Sequence, residues 1–266
     1  MMAKSFYELF NIKKPIIGTI HLAGQGEQSI IDRALEETRI YAREGLSGAI
    51  VEDSHIDDIE IMDRALKEIT SNKSLQAIVS KLPEGFNIGV NCLKNPLLSF
   101  NLANQHSCSF VQLDVVAGEY GLACSFDGKE YKKTRKRFPN IAVLGGVRSK
   151  CSQPVKGSGL IRDLEDAVCR VDAIVVKGEE TEVEVPPEKI SMFRSYIDEI
   201  EGVDFPLIIG SGLNSRNAYE QLILADGAIA GSSLRSKNDT YNPLVLRKVR
   251  ELMKVVRTLR NLDDVL

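Results

Sequence analysis

Short, almost wholly apolar runs alternate along this chain with longer stretches in which apolar residues recur every three or four positions. Eight runs stand out: Pro15–Ile20, Ser47–Glu52, Asn87–Asn91, Phe110–Val115, Asn140–Gly145, Asp172–Lys177, Pro206–Gly210 and Gly227–Gly231. Runs that are apolar at nearly every position suit parallel strands buried on both faces. Between and after them the helical period predicts Ser29–Glu44, Asp57–Lys81, Leu97–His106, Gly128–Phe138, Leu160–Arg170, Pro187–Ile200, Asn214–Leu224 and Pro243–Leu262. In the first of these, Ile31, Ala34, Leu35, Thr38, Tyr41 and Ala42 share one face. Pro187 and Pro243 fall at the first helical turn, where proline is tolerated, and Asn214 reads as an N-cap.

Eight strand–helix units in strict alternation predict a single α/β domain over residues 1–266, a closed (β/α)8 or TIM barrel, in preference to an open doubly wound sheet. The length of 266 residues matches one such barrel, and no linker or shift in composition marks a second domain. A net charge of −3 gives no basic field for nucleic acid. The five cysteines, Cys92, Cys108, Cys124, Cys151 and Cys169, show no metal or disulfide spacing, and predict reduced thiols in a cytoplasmic protein. No run is long enough for a membrane span, and Lys4, Glu8, Lys13 and Lys14 interrupt any secretory apolar core.

In a barrel the chemistry gathers where strands end. Those ends carry His21, Glu52, Asn91, Gln112 with Asp114, and Lys177. An imidazole, two carboxylates, amides and an ammonium form a set suited to general acid–base work. Each has a structural alternative: a histidine bonded to a carbonyl, a buried carboxylate already paired, a polar barrel layer, or a Lys177 salt bridge to Glu179 or Glu180. Asp53–Asp58 reads as a helix cap, and His106, at a helix end, as a surface residue. Strands seven and eight end in Gly210-Ser211-Gly212 and Gly231-Ser232-Ser233, where bare backbone N–H groups would grip a phosphate. The cluster Lys132–Arg137 reads as a solvated helix face, with an anionic membrane surface as the minority alternative.

The strand ends taken together resemble the BtpA/SgcQ family of barrel proteins. The resemblance rests on Pro15–Gly18 with Ile20-His21-Leu22, Gly48–Glu52, Gly89–Asn95, Asp172–Val176, Gly210–Gly212 with Asn217, and Ala225–Gly227 with Gly231–Leu234. It implies a barrel over essentially the whole chain. It also implies one of two roles, a membrane-peripheral factor in photosystem I biogenesis or an enzyme of carbohydrate or nucleoside-type metabolism. The chain departs from the family pattern at Asp53, Gln112–Asp114, Gly145–Cys151 and Lys177–Glu182, segments that would select the reaction.

The expectation is an enzyme, a lyase, isomerase or hydrolase, acting on a small phosphorylated sugar- or nucleotide-like metabolite. Gly210, Ser211, Gly212, Gly231, Ser232 and Ser233 would hold the phosphate. Glu52 and Asp114 would act as acid–base groups or ligands of a divalent ion such as Mg, His21 as a proton shuttle, and Asn91 and Lys177 as orienting groups. Neither a dinucleotide fingerprint nor a P-loop occurs. The rivals are a non-catalytic assembly factor at a membrane surface and a degenerate barrel kept as a scaffold; a homo-oligomer is expected.

Overall fold

A computed structural model describes residues 5–118, 127–148, 159–178, 183–200 and 204–263. Eight parallel strands close in sequence order: β1 Ile16–His21, β2 Gly48–Glu52, β3 Asn87–Asn91, β4 Phe110–Ala117, β5 Ala142–Val147, β6 Ala173–Val176, β7 Leu207–Ile209 and β8 Gly227–Ala230. Closure is direct, with Ile16, Ile17 and Gly18 of β1 in register with Ala228, Ile229 and Ala230 of β8. The chain is a TIM barrel, as its alternation predicts.

The helices are α1 Phe6–Leu9, α2 Glu27–Glu44, α3 Ile59–Ser71, α4 Lys73–Val79, α5 Leu98–Gln105, α6 Gly128–Arg137, α7 Leu160–Val168, α8 Pro187–Glu199, α9 Ala218–Leu224 and α10 Leu246–Asp263. The expected helix over 57–81 is two helices, because Asn72 ends α3 and its side chain caps α4 through the Leu75 N–H. Pro187 opens α8 as predicted, whereas Pro243 precedes α10 by three residues. Asn214 is not the cap of α9. Its carboxamide accepts from Arg216 N–H, its own N–H donates to Asn217 Oδ1, and the helix starts four residues later. Asp58 does cap α3, accepting from Glu60 N–H.

Two apolar layers divide the core. The outer one lies between barrel and helices, with Ile16, Ile20, Val51, Val90, Val143 and Ile209 facing residues such as Tyr41, Leu66, Phe100 and Phe193. The inner one fills the barrel at the amino ends of the strands: Ile17, Ile50, Phe110, Ala142, Leu144, Ala173, Val175, Ile208 and Ile229. It is stoppered by α1, which sequence periodicity missed because one helical turn is too short to show a period. Phe6, Leu9 and Phe10 join this inner cluster, the Phe10 and Phe110 rings lie 5.5 Å apart, and Asn87 Nδ2 donates to Leu9 O.

The same end carries a repeated clamp. Arg135 of α6 donates to Ile141 O and to Asp172, whose Oδ2 also accepts the Val143 N–H of β5. Arg194 of α8 donates to Phe205 O and to Asp226, whose Oδ2 accepts the Leu207 N–H of β7. In each case an arginine before an odd strand ties that strand to the aspartate leading into the next.

Candidate functional site at the carboxyl end of the barrel

Inward-facing positions alternate along each strand, and in this barrel they change character halfway up. On β1 they run Ile17, Thr19, His21; on β2, Ile50 then Glu52; on β4, Phe110, Gln112, Asp114; on β6, Ala173, Val175 and then Lys177 just beyond the strand. His21, Glu52 and Asn91 are register partners on three adjacent strands, so their side chains point the same way from one rung. The structure brings all five expected acid–base and orienting residues to this end. The register between β4 and β5 shifts between Leu113 and Ala117, the segment that holds Asp114.

Two hydrogen-bonded groups result. Glu52, with its side chain 15% exposed, accepts from Asn91 Nδ2 at 2.9 Å and from the Ser54 hydroxyl, and His21 Nε2 lies 3.7 Å from its Oε1. Burial pushes the Glu52 carboxyl above its ordinary range and the Asp114 charge adds to that; the bonds from Ser54 and Asn91 and the Lys177 ammonium oppose the rise. A carboxyl raised in this way keeps its proton to higher pH than an exposed one. The second group centres on Asp114, whose Oδ1 accepts from Lys177 Nζ at 2.6 Å and from Gln112 Nε2 at 3.1 Å. Lys177 is thus paired with Asp114; Glu179 and Glu180, the partners expected from sequence, lie outside the described residues, as does Cys151.

Opposite, the strands end in glycine. Gly231 is needed for contact, since a Cβ there would lie 2.9 Å from His21 Cε1. Gly212 adopts φ +71°, and a Cβ would meet the Glu184 backbone at 2.3 Å. The Ser211 hydroxyl accepts from Gly178 N–H and donates to Val183 O, and that of Ser233 donates to Leu213 O. These two hydroxyls therefore tie the loops after β6, β7 and β8 together. Ser232 opens a one-turn 3-10 helix, Ser232–Leu234, whose first N–H groups have no acceptor within the helix.

Arg235, directly after that turn, was missed. It is fully buried and bidentate to Glu37 of α2, at 2.7 Å to each oxygen, and its Nε donates to His21 Nδ1 at 3.2 Å. The readable signal was Glu37 itself, one turn from Ala34 and Tyr41 on the inward face of α2: a carboxylate there requires a buried cation. Ser54 was hidden within a stretch that reads as a cap. His106 is not a surface group, since its ring is 8% exposed and bonded to Asp63 at 2.8 Å.

Among the described residues no three His, Cys, Asp or Glu side chains are grouped to hold a metal ion. Nor is any described helix long and apolar enough to cross a membrane. Lys129, Lys132, Lys133, Lys136 and Arg137 of α6 are exposed, while Arg135 belongs to the clamp.

The family model described as the BtpA family matches residues 12–258. An uncharacterised protein of Pyrococcus abyssi is 29% identical, with 93% of this chain and 97% of the relative aligned. The photosystem I biogenesis protein BtpA of Synechocystis sp. is 25% identical over 93% of this chain and 90% of its own. Among solved structures, thiamine phosphate pyrophosphorylase from Pyrococcus furiosus superposes with a TM-score of 0.58 at 17% identity, covering 94% of this chain and 98% of that one. Phosphoribosyl anthranilate isomerase from Thermus thermophilus gives 0.58 at 14% identity, covering 92% and 99%. These likenesses show the fold.

Proposed function

Because the chain belongs to the BtpA family, and because its polar residues converge at one end of a TIM barrel, we propose that it is an enzyme acting on a small phosphorylated metabolite at that end. The observation that carries this reading is Glu52. A carboxyl that is mostly buried and raised in pKa, yet faced by His21 and tied to Asn91 and Ser54, is costly to keep unless it is used. The substrate would lie between the Glu52 and Asp114 groups and the glycine-rich turns. Glu52 exchanges the proton, and Lys177, held by Asp114, orients or neutralises an anionic oxygen.

In this reading the phosphate would lie against Gly210–Gly212 and Gly231–Ser233. With Ser211 and Ser233 hydroxyls committed to the loops, the grip falls to backbone N–H groups and the Ser232 side chain. The structural neighbours named for phosphorylated compounds, thiamine phosphate pyrophosphorylase and phosphoribosyl anthranilate isomerase, support this reading by fold analogy. Glu52 and Asp114 are also the carboxylates that a divalent ion would use.

Calorimetric titration with paired sugars, phosphorylated and not, tests the proposal. Phosphorylated members should bind, their partners should not, and Ser232→Asp should weaken binding at least about tenfold, as a like charge against the phosphate costs on the order of 2 kcal/mol or more. Equal binding of both members, or none of either, sinks it. The name of the Synechocystis relative and the exposed lysines of α6 support a second reading, an assembly factor at an anionic membrane. Salt-sensitive co-sedimentation with phosphatidylglycerol vesicles, lost on neutralising Lys132, Lys133 and Lys136, would favour it.

A further inference from the structure

Arg235 has five N–H donors and no acceptor, and every one of the five is used. Nη1 donates to Glu37 Oε1 and Asn242 O, Nη2 to Glu37 Oε2 and Thr19 O, and Nε to His21 Nδ1. Arg235 has no solvent exposure, so a donor that loses its partner is left with the desolvation penalty of a buried group. The guanidinium cannot shift to find another, because Glu37 is itself held by Arg33, which in turn donates to Ala23 O, Tyr241 O and Asn242 O. On its other side the His21 ring is pressed by Gly231, where even one added carbon would sit 2.9 Å from Cε1.

An imidazole nitrogen that receives an N–H must offer a lone pair. If Nδ1 carried a proton, two N–H groups would face each other in the core and one donor of a buried cation would be orphaned. The ring proton then belongs on Nε2, the nitrogen 3.7 Å from Glu52 Oε1. Among the described residues, Arg235 faces the ring on one side, with Glu37 behind it on α2, and Glu52 of β2 lies at Nε2.

We propose that Arg235 is a positioning residue that locks His21 as a neutral imidazole protonated on Nε2. His21 thereby serves the barrel mouth as a hydrogen-bond donor to a substrate oxygen, a carbonyl or an oxyanion, and leaves proton abstraction to Glu52. This narrows the proton shuttle expected from sequence to a fixed donor, an arrangement akin to the neutral histidine electrophile of triosephosphate isomerase. It rests on the barrel mouth being the reacting end, but its test needs no ligand.

The test is nitrogen-15 NMR of the histidine-labelled full chain at neutral pH, with His21 assigned by the signal lost in His21→Gln. The expected spectrum shows Nε2 protonated and Nδ1 bare, with a tautomer bias of roughly tenfold or more from the penalty for an unpaired buried donor. Arg235→Lys keeps the positive charge beside Glu37 but removes the Nε donor. It should collapse the bias to a mixture of forms, with the His106 signals, fixed by Asp63, unchanged. A wild-type ring protonated on Nδ1, or on both nitrogens, overturns the proposal, and so does a folded Arg235→Lys protein with the wild-type His21 pattern. If the variant does not fold, the wild-type spectrum still decides. Failure of phosphorylated sugars to bind would bear on the substrate reading and leave this result standing.

Discussion

The two ends of this barrel are built from the same eight strands and solve opposite problems. At the amino end the inward positions are Ile17, Ile50, Phe110, Ala142, Ala173 and Ile208, closed by Phe6 and Phe10. At the carboxyl end the same faces of the same strands present His21, Glu52, Gln112 and Asp114, with Lys177 just beyond. One end lowers the free energy of the fold by excluding water. The other keeps buried polar groups whose desolvation is only partly offset by their bonds. The difference shows that position along a strand, two residues up or down, separates the apolar core from the polar mouth in this fold.

Four substitutions probe that division. The largest effect belongs to the stopper: Phe10→Ala should lower stability by about 3–5 kcal/mol through lost burial and a cavity. Urea unfolding should reveal it, while ligand affinity at the mouth of the folded protein stays unchanged. Asp172→Asn comes next, weakening one clamp and the bond from Val143 N–H, with an expected loss of about 1–3 kcal/mol. Because the clamp around Asp226 is a separate copy, the double variant Asp172→Asn/Asp226→Asn should show nearly additive losses; strong non-additivity would mean the clamps act as one unit.

The smallest stability effect is expected for Glu52→Gln, and its direction is the reverse. With its carboxyl raised above the ordinary value, the native protein keeps a proton that the unfolded chain has lost only in the pH window between the ordinary and the raised pKa. Stability due to Glu52 therefore falls as pH climbs from the ordinary glutamate range through the raised value. The glutamine variant should lack that fall and be no less stable at pH 7, yet lose turnover while phosphorylated ligands still bind at the glycine-rich turns. A glutamine variant that unfolds more easily at every pH would place Glu52 with the scaffold and erase the contrast.

Much of this was legible in the chain. The strand runs could be read because a doubly buried strand is apolar at each position, and all eight lie within a few residues of the predicted bounds. Polar residues at strand ends could be read because they interrupt such runs. Motifs did not sort themselves by role, however. Asp172–Val176 and Ala225–Gly227, which carried part of the family resemblance, hold clamp aspartates at the amino end, far along the strands from Glu52. Arg235 and α1 escaped for the opposite reason: their importance comes from partners some two hundred and one hundred residues away in sequence, Glu37 and Phe110, and no local pattern records such pairings.

The stopper has a consequence for how the chain is made. Phe6 and Phe10 emerge from a ribosome before any strand, but their socket draws on β1, β2 and β4 to β8 and is complete only when Ile229 has been synthesised. Until then the two rings have no finished place to go. Seating α1 therefore waits for β8, which couples it to closure of the barrel, and a nascent chain halted before β8 would display an aromatic pair for chaperones to hold.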